Sequence, residues 1–428
     1  CTPSRYALLT GEHGFRAQAE ILPGDAPALI RPGKPTLAEL FNKSGYQTAV
    51  IGKWHLGLGD GSVDWNKAVK PGPKEVGFDY SFLIPATGDR VPTVYLEGHH
   101  VVAIDPEDPI LVDYSKNVGD RPTGEEHPEL LRVAADPQHS NTIVNGVSRI
   151  GYMSGGESAL WVDEEFPDLL TGKAVSFIRE NQDQPFFLFY SFHDIHVPRL
   201  PHERFEGTTP MGPRGDAIVQ TDWVVGEIVR ELEKLSLSEN TLIIFTSDNG
   251  PVLNDGYEDE AVERLGDHRP AGPYRGGKYS LYEAGTRVPT IINWPGRVSP
   301  AVSNALVSQL DFYASFARML DIELDSAEAM DSLDTLDVLL GKSGAGRTEL
   351  LQESFNLNSF RQGKWKYIPK SSNRQEFIQR KGIEGGFQPE PQLYDLAADE
   401  SESENLAETF PERVLEMDNR MKVIEKEG

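Results

Sequence analysis

Short apolar runs bounded by turn residues recur along the chain, and between them apolar residues return every three or four positions. The runs at Thr48–Ile51, Pro185–Phe192, Leu242–Thr246 and Thr290–Asn293 are partly β-branched or aromatic and read as buried strands. The stretches PTLAELFNKSGY, DLLTGKAVSFIREN and TDWVVGEIVRELEKL read as helices. In the first, Leu37, Leu40 and Phe41 share a face, and Gly45 is placed to stop the helix. Alternation of the two patterns predicts an α/β fold, with a large mixed, mostly parallel sheet flanked by helices. In such sheets function gathers at the carboxyl ends of the strands.

Two stretches break the alternation. Residues 58–110 and 251–277 are rich in Gly, Pro and Asp, too long for simple connectors, and read as loops that shape a site. Beyond about residue 345 the texture changes. FRQGKWKYIPKS and PQLYDLAADE read as hairpin strands, followed by a helix around 409–425. The expected organisation is a catalytic domain over 1–345 and a C-terminal subdomain over 346–428, the latter a small antiparallel sheet with a helix.

Composition narrows the function classes. The net charge of −26 argues against nonspecific binding to nucleic acid or anionic membranes. An anionic substrate would therefore need a locally positive site built from a few Lys, Arg and His. No apolar run approaches a membrane span. The one cysteine, Cys1, excludes an intrachain disulfide framework and cysteine-rich zinc sites.

Candidate chemistry lies at the ends of the predicted strands and at Cys1. Pro3 suits the first turn of a helix, Leu8 and Leu9 give it an apolar face, and Gly11 can end it. Cys1 then sits at the helix N-terminus, where the backbone field favours anions and lowers a thiol pKa. Arg5 lies one turn on and can return to the same point. In GYQTAVIGKWHLG, Lys53 and His55 stand two apart just past a strand and can face one cleft. In FYSFHDIHVPRLP, His193 and His196 follow another. LIIFTSDNG ends in Asp248 and Asn249, oxygen ligands suited to a hard cation or an ordinary Asx turn. RGGKYSLYEAGTRVP supplies Lys278 in a glycine-rich approach. Taken singly, each has a plain reading: a small buried thiol, a loop histidine or a solvated lysine.

Taken in order, the motifs point to one family. C-T-P-S-R followed by L-T-G resembles the signature of the type I sulfatases, members of the alkaline phosphatase superfamily, with Glu12 where many members carry Arg. G-K-W-H-L-G resembles the second sulfatase signature. L-Y-D-L-A-A-D-E-S-E-S-E-N-L resembles the family's C-terminal segment, with Glu400 and Ser401 in place of D-P. The resemblance covers nearly the whole chain. It implies that a maturation enzyme oxidises Cys1 to formylglycine, whose hydrate attacks sulfur with help from Ca²⁺ held by Asp248, Asn249 and residue 1. It gives Arg5, Lys53, His55, His196 and Lys278 catalytic roles, with Lys53, Lys278 and His196 on the sulfate oxygens. His196 or Lys278 would protonate the leaving alcohol, and His55 would collapse the intermediate. Thr87, Asp89, Arg90, His193 and Arg199 are candidates for substrate contacts. Glu283 and Arg287 read as a buried pair bracing the loop.

The implied activity is hydrolysis of a sulfate monoester, on a carbohydrate or a small ester, in the periplasm or after secretion. A phosphatase or phosphonate hydrolase of the same superfamily, and a noncatalytic remnant, stay open. The family's calcium site also uses an Asp-Asp pair on an upstream first strand, and this sequence has no Asp-Asp dipeptide. The sequence as given is therefore expected to lack that N-terminal strand, to bind calcium poorly and to be inactive.

Overall fold

The computed structural model describes residues 1–325, 327–355, 357–373 and 375–427. The central strand, β1 (Gln47–Lys53), runs parallel to β2 (Tyr80–Ile84) on one side and to the strand Phe186–Ser191 on the other. Beyond β2, the short strands β3 (Leu96–Glu97) and β4 (His100–Val101) add antiparallel, giving a mixed five-stranded sheet. Both faces of β1 are covered, which explains the consecutive apolar residues Ala49, Val50 and Ile51 at its centre. Val50 packs into a core with Leu9, Leu37, Phe41 and Phe316. Its neighbours Ala49 and Ile51 point the other way, into a core with Phe82, Phe166, Leu170 and Phe177.

Helices supply the outer layers. The first, α1 (Thr2–Thr10), begins after Cys1 with Pro3 in its first turn and ends at Gly11, whose φ of 67° is left-handed. Next comes α2 (Leu37–Lys43), opened by Thr36, whose hydroxyl accepts the Glu39 N–H at 3.1 Å. α3 (Phe166–Glu180) covers the second core, α4 (Gly212–Lys234) packs against α3, and α5 (Asp311–Met319) lies against α1 and α2. α4 begins well before the predicted stretch.

Two expectations need correction. Residues 58–110 are not loop throughout, because β2, β3 and β4 lie inside them. The runs near 243 and 290 are strands, but among the described residues they pair only with each other, antiparallel, as a two-stranded sheet. Thr290–Asn293 is largely exposed. A four-residue apolar run looks the same whether one face or both will be covered. The 251–277 stretch stays irregular, apart from an isolated bridge between Tyr257 and Ala135.

A four-stranded antiparallel sheet follows in the order Glu349–Ser354, Leu357–Gln362, Trp365–Ile368 and Gln392–Asp395, backed by the helix Pro411–Lys426. It is tied to the 276–285 loop through Glu283. That buried carboxylate takes Arg361 at 2.9 Å and Lys366 at 3.1 Å, while Arg287 stands 3.7 Å away and half-exposed. The expected Glu283–Arg287 brace is thus a Glu283 clamp held from the C-terminal sheet. Long-range pairing of this kind leaves no local spacing to read.

Candidate active site

The predicted residues do converge at the carboxyl ends of the strands. Lys53 closes β1, and the backbone pairing with β2 runs on past it: Trp54 N–H donates to Ile84 and His55 N–H to Pro85. That extension carries His55 into the cleft with a left-handed φ of 53°. Gly52, at φ 104°, lies hard against the neighbouring strand: a Cβ there would lie 2.0 Å from the Ser191 carbonyl oxygen.

Cys1 Sγ lies 3.1 Å from Lys53 Nζ and 3.6 Å from Asn249 Oδ1. Arg5 does return to this point: its Nε donates to Asp248 at 3.1 Å, and its Nη1 to the Lys53 carbonyl at 2.9 Å and to Ser191 Oγ. Asp248 also stands 3.8 Å from Lys53. It remains ionised: burial pushes its carboxyl up, but Lys53 and Arg5 hold it well below the usual range. Burial pushes Lys53 down to about 7, with Asp248 opposing. Glu12 is paired locally with Lys34 at 2.5 Å.

The tautomers of the two catalytic-candidate histidines follow from their partners, because a carbonyl only accepts. His55 Nε2 lies 2.9 Å from the Leu22 carbonyl, so Nε2 carries the proton and the buried Nδ1, which has no partner, carries a lone pair. His196 Nδ1 lies 2.7 Å from the Val197 carbonyl, so its lone pair is on Nε2, 3.3 Å from Lys278 Nζ. Burial keeps both rings neutral, His55 beside Arg90 and Lys53, His196 beside Lys278 and Lys53.

A cavity of about 170 Å³ gathers Cys1, His55, Asp89, Arg90, His196 and Lys278. A larger space of about 620 Å³ meets Cys1 from the side of Pro3, Ser4 and Asn249. The smaller one holds both histidines and Arg90, and it is the one that can present an anion to residue 1. Asp89 accepts from Arg90 at 2.8 Å and faces His139 at 3.3 Å.

Three predicted contacts lie outside that cavity. Thr87 is fully buried, with its hydroxyl engaged by Asp89 and Arg90. His193 packs under Gly88, where a Cβ would lie 2.3 Å from its Nε2, and against Phe166. Arg199 is buried on Asp259 at 2.7 Å and on the carbonyls of Ile195, Val252 and Leu253, so it anchors the 251–259 stretch. Sequence reading missed seven residues that line the cavity: Ile21, Gln138, His139, Asp255, Tyr279, Phe377 and Lys381. Asp255 lies in the irregular stretch already suspected of shaping a site. Tyr279 adjoins Lys278 in the glycine-rich motif, and the others carry no local signature.

Fold and site together define an α/β enzyme that handles a compact anion at the carboxyl ends of its strands. The comparisons agree. Residues 1–322 match the Sulfatase family. The chain is 49% identical over 420 residues to an N-acetylgalactosamine-6-O-sulfatase of Bacteroides thetaiotaomicron, covering 97% of this chain and 82% of that protein. It is 30% identical over 423 residues to arylsulfatase A of Homo sapiens, covering 95% and 74%. Among solved structures, one described in terms of the metabolism of multiple glycosaminoglycans by Bacteroides thetaiotaomicron superposes with a TM-score of 0.98 at 48% identity, covering 100% of this chain and 89% of that one. The chain belongs to the sulfatase family, and it is an enzyme that hydrolyses sulfuric esters. Among the described residues, no helix is long and apolar enough to cross a membrane.

Proposed function

We propose that this enzyme removes sulfate from a carbohydrate sulfate monoester, with residue 1, oxidised to formylglycine by a maturation enzyme, as the nucleophile. The observation that carries the reading is the meeting of residue 1, His55, His196 and Lys278 on one cavity, with Lys53 3.1 Å from residue 1. The 49% identity to an N-acetylgalactosamine-6-O-sulfatase supports a 6-O-sulfated N-acetylhexosamine as substrate. A sulfated glycan supports work in the periplasm or after secretion.

When formed, the aldehyde hydrate supplies two hydroxyls on one carbon, one to attack sulfur and one to release it. The chain's own residues do the rest. Lys53, 3.1 Å from residue 1, and Lys278, on the cavity wall, hold the sulfate oxygens and stabilise charge on them. Arg5, fixed on Asp248, adds positive field at the nucleophile. Lys278 keeps its proton: burial pulls it down, but Asp255 at 2.7 Å more than offsets this. His196 is neutral with its lone pair toward Lys278, so the proton for the leaving alcohol starts on Lys278. His55, with a free Nδ1 lone pair, accepts the proton that lets sulfate depart.

Calcium fits less well. Asp248 and Asn249 offer two side-chain oxygens beside residue 1, and no group of three or more His, Cys, Asp or Glu able to hold a metal gathers among the described residues. Six to eight oxygens are the usual demand. Asp248 is instead occupied by Arg5 and Lys53, and no step here is routed through a metal.

The test combines intact mass of the residue-1 peptide after coexpression with a maturation enzyme and sulfate release from 6-O-sulfo-N-acetylgalactosamine. Loss of the thiol mass in favour of an aldehyde, with sulfate release outpacing phosphate release from an aryl phosphate, is expected. Unmodified cysteine beside a converted control sulfatase, or faster phosphate release, would overturn the reading.

A further inference from the structure

Two buried lysines stand near residue 1, Lys53 beside it and Lys278 on the cavity wall, and they are paired differently. Lys53 stands 3.8 Å from Asp248, which Arg5 holds more closely at 3.1 Å, whereas Lys278 is the nearest cation to its carboxylate at 2.7 Å, with Lys381 farther off. That carboxylate, Asp255, is buried and fixed from its far side. Its Oδ1 faces Tyr279 Oη at 3.3 Å and Lys381 Nζ at 3.6 Å, while its Oδ2 takes Lys278. Lys381 is buried as well, and also reaches Asp136 Oδ2 at 3.4 Å. Asp136 in turn holds His139 Nδ1 at 2.6 Å, and His139 faces Asp89. One lysine from the C-terminal part of the chain therefore ties the Lys278 wall of the cavity to the Asp89–Arg90 wall.

We propose that Asp255, held in place by Lys381 and Tyr279, is a positioning residue that keeps Lys278 charged and aimed at the ester oxygen, and so sets how well the enzyme expels an unactivated alcohol. The proposal rests on Lys278 being the proton donor. In that step the residue-1 hydroxyl releases its proton to solvent as its oxygen forms a bond to sulfur, and the bond from sulfur to the leaving oxygen breaks with its electron pair going to oxygen. That oxygen takes the proton from Lys278 Nζ, and the neutral amine regains one from solvent. A sugar alkoxide needs the proton, whereas a nitrophenolate leaves without it. Asp255→Asn preserves shape and an oxygen for Lys278 but removes the charge that keeps the ammonium favoured over the amine.

The experiment compares kcat/KM on 6-O-sulfo-N-acetylgalactosamine and on 4-nitrophenyl sulfate for the matured enzyme and for Asp255→Asn, Lys381→Met and Lys278→Met. General acid catalysis is worth about 10²–10⁴-fold. The ratio of sugar to aryl activity is expected to fall about 30-fold or more in Asp255→Asn and about 5-fold in Lys381→Met, which leaves the Asp255–Lys278 contact in place. Equal losses on both substrates in Asp255→Asn, with the split still present in Lys278→Met, would overturn the positioning role alone. Equal losses in Lys278→Met would overturn the donor reading beneath it. If Asp255→Asn does not give folded protein, Lys381→Met carries the same comparison, and an unchanged ratio there overturns the proposal.

Discussion

Replacing Arg149 by Met tests how the loop carrying Asp89 and Arg90 is held. Arg149 is fully buried and makes a two-point pair with Asp163, at 2.8 and 2.7 Å, with side-chain exposures of 0% and 2%. It also donates to the Gly88 carbonyl, and at 3.2 Å to that of Val144. Removing one partner of such a pair costs about 3–5 kcal/mol, because the other charge is left buried and alone. With an unfolding entropy of about 0.9 kcal/mol/K for a chain this long, the midpoint would fall by about 3–6 °C. The pH dependence is more specific. In the native protein burial pushes Asp163 up, but Arg149 outweighs it and holds the carboxyl below its usual value. Its stabilisation is therefore present above the unfolded pKa of about 3.9 and is lost as pH falls through the folded value. In Arg149→Met burial remains, opposed by the Asn145 amide at 3.1 Å and the weaker field of His193, and the folded pKa rises. The defect should then be largest at pH 8 and smaller by about 1 kcal/mol or more at pH 5, where the carboxyl can take a proton. Urea unfolding at the two pH values measures this. Arg149→Met/Asp163→Leu should recover most of the loss at pH 8. A loss below about 1 kcal/mol, or one equal at both pH values, would refute the reasoning.

Three further outcomes follow from the site. Because His55 and His196 are both held well below the ordinary histidine value of about 6.5 and keep their lone pairs, kcat/KM should show no loss from neutrality down past that value, while Lys53, at about 7, gains charge over the same range. An acid limb at or above it in the pH–rate profile would contradict their assigned states. Lys53→Met should lower kcat/KM about 10²–10³-fold on sugar and aryl sulfates alike, since Lys53 touches residue 1 rather than the leaving group; a loss confined to one substrate would misplace it. Gly52→Ala should lower the stability measured in urea by more than ~2 kcal/mol, from the left-handed backbone and the clash with the Ser191 carbonyl. A midpoint unchanged from the parent would show that the two strands can separate freely.

Strand-end motifs were legible because the chain brings their residues together locally. Lys53 and His55 are two positions apart on one extended segment, Cys1 and Arg5 one helical turn apart, and Asp248 and Asn249 adjacent. Order along the chain then joined these motifs into a family resemblance. The α/β alternation was readable for the same reason, since periods of two and of 3.6 are written in neighbouring residues. What the sequence hid is what long-range packing decides. His193 and Arg199 look as exposed to substrate as His196, yet they bury under Gly88 and on Asp259.

By itself, then, the sequence determined the strand-end chemistry, the helical nucleophile position and the broad fold, all properties of short stretches. Only the tertiary structure decided which candidates share the cavity, which tautomers the histidines adopt, and which lysine sits closest to a carboxylate. Asp255, His139 and Lys381 come from segments more than 100 residues apart. Their meeting is fixed by the packing of the loops and the C-terminal sheet over the strand ends, a consequence of burying apolar surface that no spacing along the chain encodes.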